Sequence, residues 1–104
     1  MIKRKIIIEI QHFAGCPNSP VLIERVKEAI KTSNIEIQYK EVLVESNEKA
    51  KEVGFRGSPT LLINGKDIED MLIPKNPALT CRYYPKGLPT VALIKKTLTL
   101  YKLE

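Results

Sequence analysis

Isoleucine recurs at alternate positions near the start of the chain: Ile6, Ile8 and Ile10 fall on one side, and Ile7, Glu9 and Gln11 on the other. Side chains alternate across a strand. The pattern therefore predicts a strand over residues 5–13, with both faces covered along its first half because Ile7 is apolar as well. Gly15 and Pro17 end it. The period then changes. Over residues 18–32 the apolar positions Val21, Leu22, Val26, Ala29 and Ile30 follow helical spacing, and Glu24, Arg25, Lys27 and Glu28 fill the wet side. Pro17 and Pro20 sit at the start of this helix, where a missing N–H costs little.

Alternation returns over 35–39 and continues through 42–44, predicting a second strand. Ser46 is a good N-cap, Glu48 suits the first turn, Ala50 and Val53 face inward, and Gly54 closes a short helix. Residues 60–63 read as a third strand. Asn64-Gly65 is a strong hairpin signal, so a short strand over 66–68 should return antiparallel. Residues 69–88 carry Pro74, Pro77, Pro85 and a cysteine but no period; a connection this long in a small domain is usually functional or mobile. Pro89 opens a last helix with Val91, Ile94, Leu98 and Tyr101 inward. The order is β-α-β-α-β-β-α, an α/β domain with a mixed four-stranded sheet flanked by helices.

Composition narrows the function more than the fold. The 104 residues are 43% hydrophobic and 28% charged, which fits one ordinary globular domain spanning 1–104. Two cysteines are too few for a disulfide scaffold or a four-cysteine zinc site. The net charge of +5 is spread along the chain without a basic stripe, so no nucleic-acid partner is expected, and the basic surface suits anionic small molecules or partners. No apolar run approaches the roughly 18 residues of a membrane span. A cytoplasmic location with reduced thiols, no cofactor and no membrane partner is the expectation. The edge at 66–68 allows a monomer or a weak homodimer.

Two stretches carry a resemblance. "FAGCPNS", residues 13–19, follows the first strand, and "VGFRGSPTLLINGK", residues 53–66, leads into the third. In this element order they resemble the thioredoxin-like superfamily. The first stands where the family has its Cys-x-x-Cys or Cys-x-x-Ser site, the second where it has a cis-proline. The resemblance implies that Pro59 is cis and packs beside Cys16, and that the Ser58 backbone offers strand-like hydrogen bonds to a bound peptide or thiol. "TCRYYPKGLPT", residues 80–90, is similar to the thioredoxin-like proteins grouped with organomercurial lyases, in which a Cys-Arg-x-Tyr segment recurs. No Trp precedes Cys16, Ser19 replaces the resolving cysteine, and the acidic pair by which glutaredoxins hold glutathione is not evident near residue 72.

Placed at a helix N-terminus, Cys16 would face unpaired N–H groups and the positive end of the dipole, which favour the nucleophilic thiolate. A free thiol of pKa about 8.5 is roughly 3% ionised at pH 7, and lowering that value by about two would ionise most of it. Ser19 either supports this thiolate or caps the helix. Cys81 either resolves a mixed disulfide, supplies a second soft-metal ligand, or anchors the loop. Arg82 either lowers the Cys81 pKa, binds an anion, or lies on the surface. His12 is a candidate base or ligand, Tyr83 and Tyr84 are loop packing, and Asp67, Glu69 and Asp70 form a solvated acidic edge.

The leading expectation is a thiol–disulfide oxidoreductase acting on protein or small-molecule thiols and disulfides. Cys16, Cys81 and Ser19 are its catalytic candidates, and Ser58, Pro59 and Arg82 its substrate-binding ones. A second reading is a soft-metal or mercury–thiolate module using Cys16 and Cys81 with His12; a third is a non-enzymatic adaptor whose cis-Pro groove holds a peptide.

Overall fold

The computed structural model describes residues 5–102. Its elements run β1 (Ile6–His12), α1 (Asn18–Lys31), β2 (Ile37–Leu43), α2 (Asn47–Val53), β3 (Thr60–Ile63), β4 (Lys66–Asp67) and α3 (Val91–Lys102). This is the order expected from the sequence. The sheet order is β2-β1-β3-β4, with β1 parallel to β2 and antiparallel to β3, and β3 antiparallel to β4. Helix α1 makes the crossover that a parallel pair requires.

The main core lies on one face of the sheet. Ile6, Ile8 and Ile10 of β1 meet Leu22, Val26 and Ala29 of α1 and Ile94 and Leu98 of α3, with Leu61 and Ile63 from β3. A second, smaller cluster joins Val44, Ala50 and Phe55 on the α2 side, with Phe13, Val42 and Val53 packed against it. Only seven residues long, α2 shields one end of the opposite face, where Gln11 Nε2 donates to the Val53 carbonyl at 3.2 Å. The first half of β1 is therefore covered on one face only, and Ile7 stays 38% exposed. Along α1 the inward stripe is Ser19, Leu22, Val26 and Ala29, an i, i+3, i+7, i+10 series that turns Val21 outward.

The turn chemistry explains how the chain is led back to the sheet. Asn64 and Gly65 both take positive φ, 52° and 81°, as a two-residue hairpin of the primed type demands. The same asparagine ties the hairpin to β1: its Oδ1 accepts from Ile7 N–H at 2.9 Å, and its own N–H donates to the Ile7 carbonyl at 2.8 Å. At the other end of the molecule, Arg25 Nη1 donates to the Leu88 and Pro89 carbonyls at 3.1 and 3.2 Å, fixing the approach to α3. Thr90 Oγ1 then accepts from Leu93 N–H as a cap. Among the described residues no helix is long and apolar enough to cross a membrane.

The one-sided core sets a measurable contrast. Ile8→Ala, in the fully buried stripe, should cost about 3 kcal/mol of unfolding free energy. Ile7→Ala, on the half-open face, should cost less than about 1 kcal/mol. Urea titration of both variants checks this, with the slope expected to stay unchanged.

Candidate functional site

Cys16 closes the turn between β1 and α1: its N–H donates to the Phe13 carbonyl, and its own carbonyl accepts from Ser19 N–H at 3.3 Å. The residue is buried, 4% exposed. The thiol donates to the Ser58 carbonyl at 3.6 Å, which links the turn to the segment entering β3. Burial opposes ionisation of this thiol. The Ser19 and Ser58 side chains and the Asn18 and Ser19 backbones hydrogen-bond to it, outweigh that cost, and hold its pKa below the ordinary value. The electrostatic setting expected of a helix N-terminus is thus assembled from particular donors.

Ser19 does not cap the helix. The N-cap position is Pro17, and no side-chain cap bond forms there. Ser19 is instead buried inside the first turn, where its hydroxyl shares a hydrogen bond of 3.1 Å with the Ser58 hydroxyl. Ser58 is the hub of the site. Its Oγ accepts from Phe13 N–H at 3.3 Å, while its backbone carbonyl faces Cys16. The Ser58–Pro59 bond is cis, and both residues are buried.

The strand-forming groups of Ser58 are not open to a visiting peptide. Ser58 N–H donates to the Thr80 carbonyl at 2.8 Å, and Arg82 N–H donates to the Ser58 carbonyl at 3.0 Å. Residues 80–82 therefore lie parallel beside the segment leading into β3, with Cys81 in register opposite Ser58. Both cysteines are free thiols; Cys16 is buried and Cys81 exposed. Each adjoins Ser58, Cys16 through its sulfur and Cys81 through its backbone neighbours. Cys81 also lines a cavity of about 380 Å³ together with Phe55, Met71, Pro74, Ala78 and Tyr83.

Arg82 is tied down inside the protein. It is neither a surface arginine nor a free anion or substrate contact: its side chain is 2% exposed and binds Asp67 through two nitrogens, Nη2 donating to Oδ2 at 2.8 Å. It also lies over the Tyr84 ring, 4.3 Å from the centroid. Asp67 is correspondingly no solvated edge residue. It is buried, accepts from Glu69 and Met71 N–H at 2.9 and 3.1 Å, and lies 3.8 Å from Arg56 Nε. Burial raises its carboxyl pKa, but Arg82 and the two backbone donors dominate and hold it below the ordinary 3.8. Burial lowers the Arg82 value in turn, and the bond to Asp67 more than restores it.

The two tyrosines divide. Tyr84 is buried, donates to the Pro59 carbonyl at 2.6 Å, and has its pKa pushed well up by burial; Tyr83 stands 81% exposed. His12 finds its partner across the sheet, its Nε2 3.7 Å from Glu41 on β2. Among the described residues no cluster of three or more His, Cys, Asp or Glu could hold a metal ion. Sequence reasoning missed Asp67, the Thr80 carbonyl and Gly57. Gly57 had a readable signal. Its φ is 99°, and a Cβ there would meet Arg82 Cβ at 2.8 Å, so a glycine is what lets the loop lie so close.

A family model described as a thioredoxin domain matches residues 6–68, from β1 to just beyond β4. No curated protein and no solved structure matches the chain.

Two measurements probe this arrangement. Thiolate absorbance of the Cys81→Ser variant should titrate with a midpoint below that of a free cysteine measured alongside, and adding Ser19→Ala should move that midpoint up. Arg82→Met, which strands a buried carboxylate, should cost about 3–5 kcal/mol by denaturant unfolding, most of it recovered on adding Asp67→Leu. The Asp67 contribution to stability is fully present above the ordinary 3.8 and is lost as pH falls through the lower folded value. Wild type should therefore lose stability more steeply on acidification than the double variant.

Proposed function

The chain belongs to the thioredoxin-domain family, and from that premise we propose that it is a thiol–disulfide exchange protein whose two working thiols are Cys16 and Cys81. The observation that carries this reading is the position of Ser58. One face of the residue receives the Cys16 thiol, and its backbone pairs with the residues on either side of Cys81. Adjacent parallel chains lie about 4.8 Å apart, so a thiol on residue 81 starts within one strand spacing of Ser58. Ser19 stands where the superfamily carries its resolving cysteine, and an alcohol cannot take that part. Cys81, in register with Ser58 across that pairing, is the thiol this reading assigns to it.

The chemistry asked of each group is modest. Cys16 supplies a thiolate stabilised by four donors, and a low-pKa thiolate is both a nucleophile and a good leaving group in exchange. Ser19 and Ser58 position that sulfur and share its charge. The protein alternates between a dithiol and a Cys16–Cys81 disulfide, two electrons apart, with thiols or disulfides as exchange partners. This reading is favoured over the adaptor one by the Ser58 N–H and C=O, which are bonded within the chain rather than open to a peptide.

Mild oxidation of the full chain at low concentration, followed by non-reducing digestion and mass spectrometry, tests the pair. The expected product is an intramolecular Cys16–Cys81 link. Cys16 recovered as a sulfenate or small-thiol adduct, with Cys81 still free, would remove the pair and leave a one-thiol site.

A further inference from the structure

The segment at 80–82 occupies the place where an extended polypeptide would have to pair. Adding a strand to an exposed edge depends on free N–H and C=O groups, and those of Ser58 are engaged by Thr80 and Arg82. Nor is the occupant loosely held. Arg82 is locked to Asp67 inside the protein, its Cβ fills the space left by Gly57, and Tyr84 is bonded to the Pro59 carbonyl. Lifting it off would unpair a buried charge, which is strongly destabilising.

Access to the two thiols is correspondingly unequal. Cys16 is buried with its thiol on the Ser58 carbonyl, whereas Cys81 is exposed on the wall of the 380 Å³ cavity. That volume falls in the range of about 300–1,000 Å³ typical of small-molecule sites, and Phe55, Met71, Pro74 and Tyr83 make its lining largely apolar. A larger hollow of about 440 Å³ lies beside Phe13, Ala14 and Leu79, but no cysteine lines it.

We propose that residues 80–82 are a built-in strand that closes the Ser58 edge to polypeptides, so that the site takes small apolar disulfides, attacked first by the exposed Cys81 and then resolved by the buried Cys16. This rests on the paired-thiol reading above and reverses the order of attack expected from the sequence. The Cys81 thiolate attacks one sulfur of R–S–S–R′, forming Cys81–S–S–R and releasing R′–S⁻. The Cys16 thiolate then attacks Cys81 Sγ, forming the Cys16–Cys81 disulfide and releasing R–S⁻. The two protein thiols give up two electrons and two protons; the substrate disulfide takes the electrons and leaves as two thiols. Ionisation favours Cys16 as the attacker, and access favours Cys81. The order proposed is the one in which access decides, with the stabilised thiolate acting only once the mixed disulfide has formed next to it.

The test uses 2,2′-dipyridyl disulfide, a small apolar disulfide whose released thiopyridone is followed by absorbance. The proteins are full-length wild type, Cys16→Ser and Cys81→Ser, with circular dichroism confirming that each is folded. Wild type should release two equivalents and end as the intramolecular disulfide. Cys16→Ser should release one equivalent, at no less than about half the wild-type initial rate because no second equivalent follows the first attack, and carry the adduct on Cys81. Cys81→Ser should react at least about tenfold more slowly, the effect of a local opening that costs about 1.4 kcal/mol. Cys81→Ser reacting at the wild-type initial rate, with Cys16→Ser the slow variant, would overturn the order of attack. Wild type halting at one equivalent with a stable Cys81 adduct would support first attack at Cys81 but remove the resolving step and, with it, the paired-thiol reading. An extended cysteine peptide activated with the same thiopyridyl group should react at least about tenfold more slowly than the small disulfide. Equal rates would overturn the closure of the Ser58 edge.

Discussion

The buried ion pair between Arg82 and Asp67 is the constraint on which the arrangement of this molecule turns. Residues 69–88 contain no helix and no named strand, and such a segment has little of its own to hold it against a sheet. The carboxylate lies at the end of the shortest strand, immediately after the hairpin turn, and the guanidinium meets it with two nitrogens in parallel. Further groups support both charges: backbone N–H donors on the acid and the Tyr84 ring beside the base, whose Nε alone is left buried without a hydrogen-bond partner. With Arg82 fixed, its own N–H is fixed, so residues 80–82 are held beside Ser58. The placement of Cys81 follows from a salt bridge one residue away.

The other half of the site is built by the opposite strategy. Where the loop is held by one strong pair, Cys16 is held by several weak contacts converging from a turn, a helix start and the strand-entry segment. Ser58 belongs to both systems. Its side chain and carbonyl complete the surroundings of Cys16, and its backbone carries the register of the loop. A displacement of the loop would therefore be felt at the thiol through one residue, without any direct bond between the two cysteines.

Much of this was legible in the chain. Periodicity located β1, α1, β2 and α3 because an amphipathic element must show one face to the core, cap residues marked α2, and Asn64-Gly65 announced the hairpin through a backbone requirement few residue pairs meet. Cys16 and Ser58 stood out for similarly local reasons. Long-range partnership was not legible. Asp67 lies among Glu69 and Asp70, and nothing in that run tells which acid turns inward; the selection is made by an arginine fifteen positions away. Tyr83 and Tyr84 are adjacent and chemically identical, yet one is buried and one exposed, since only the second can reach the Pro59 carbonyl. Val21 looked apolar enough for the core, but the stripe of α1 is phased by Leu22, Val26 and Ala29, which leave Val21 turned outward.

The close approach of Gly57 to Arg82 has a consequence for how such sequences can diverge. A side chain at 57 is opposed twice, by the positive φ of that residue and by residue 82 lying against it, and residue 82 is held there by its acid. Positions 57, 67 and 82 thus form a single unit of variation. A lineage that lost the acid would at the same stroke remove the contact that bars a side chain at 57, leaving the positive φ as the one remaining constraint, and any side chain then accepted there would bar the loop from returning. The loss would act as a ratchet, turning a chain with a self-filled edge into one with an open edge.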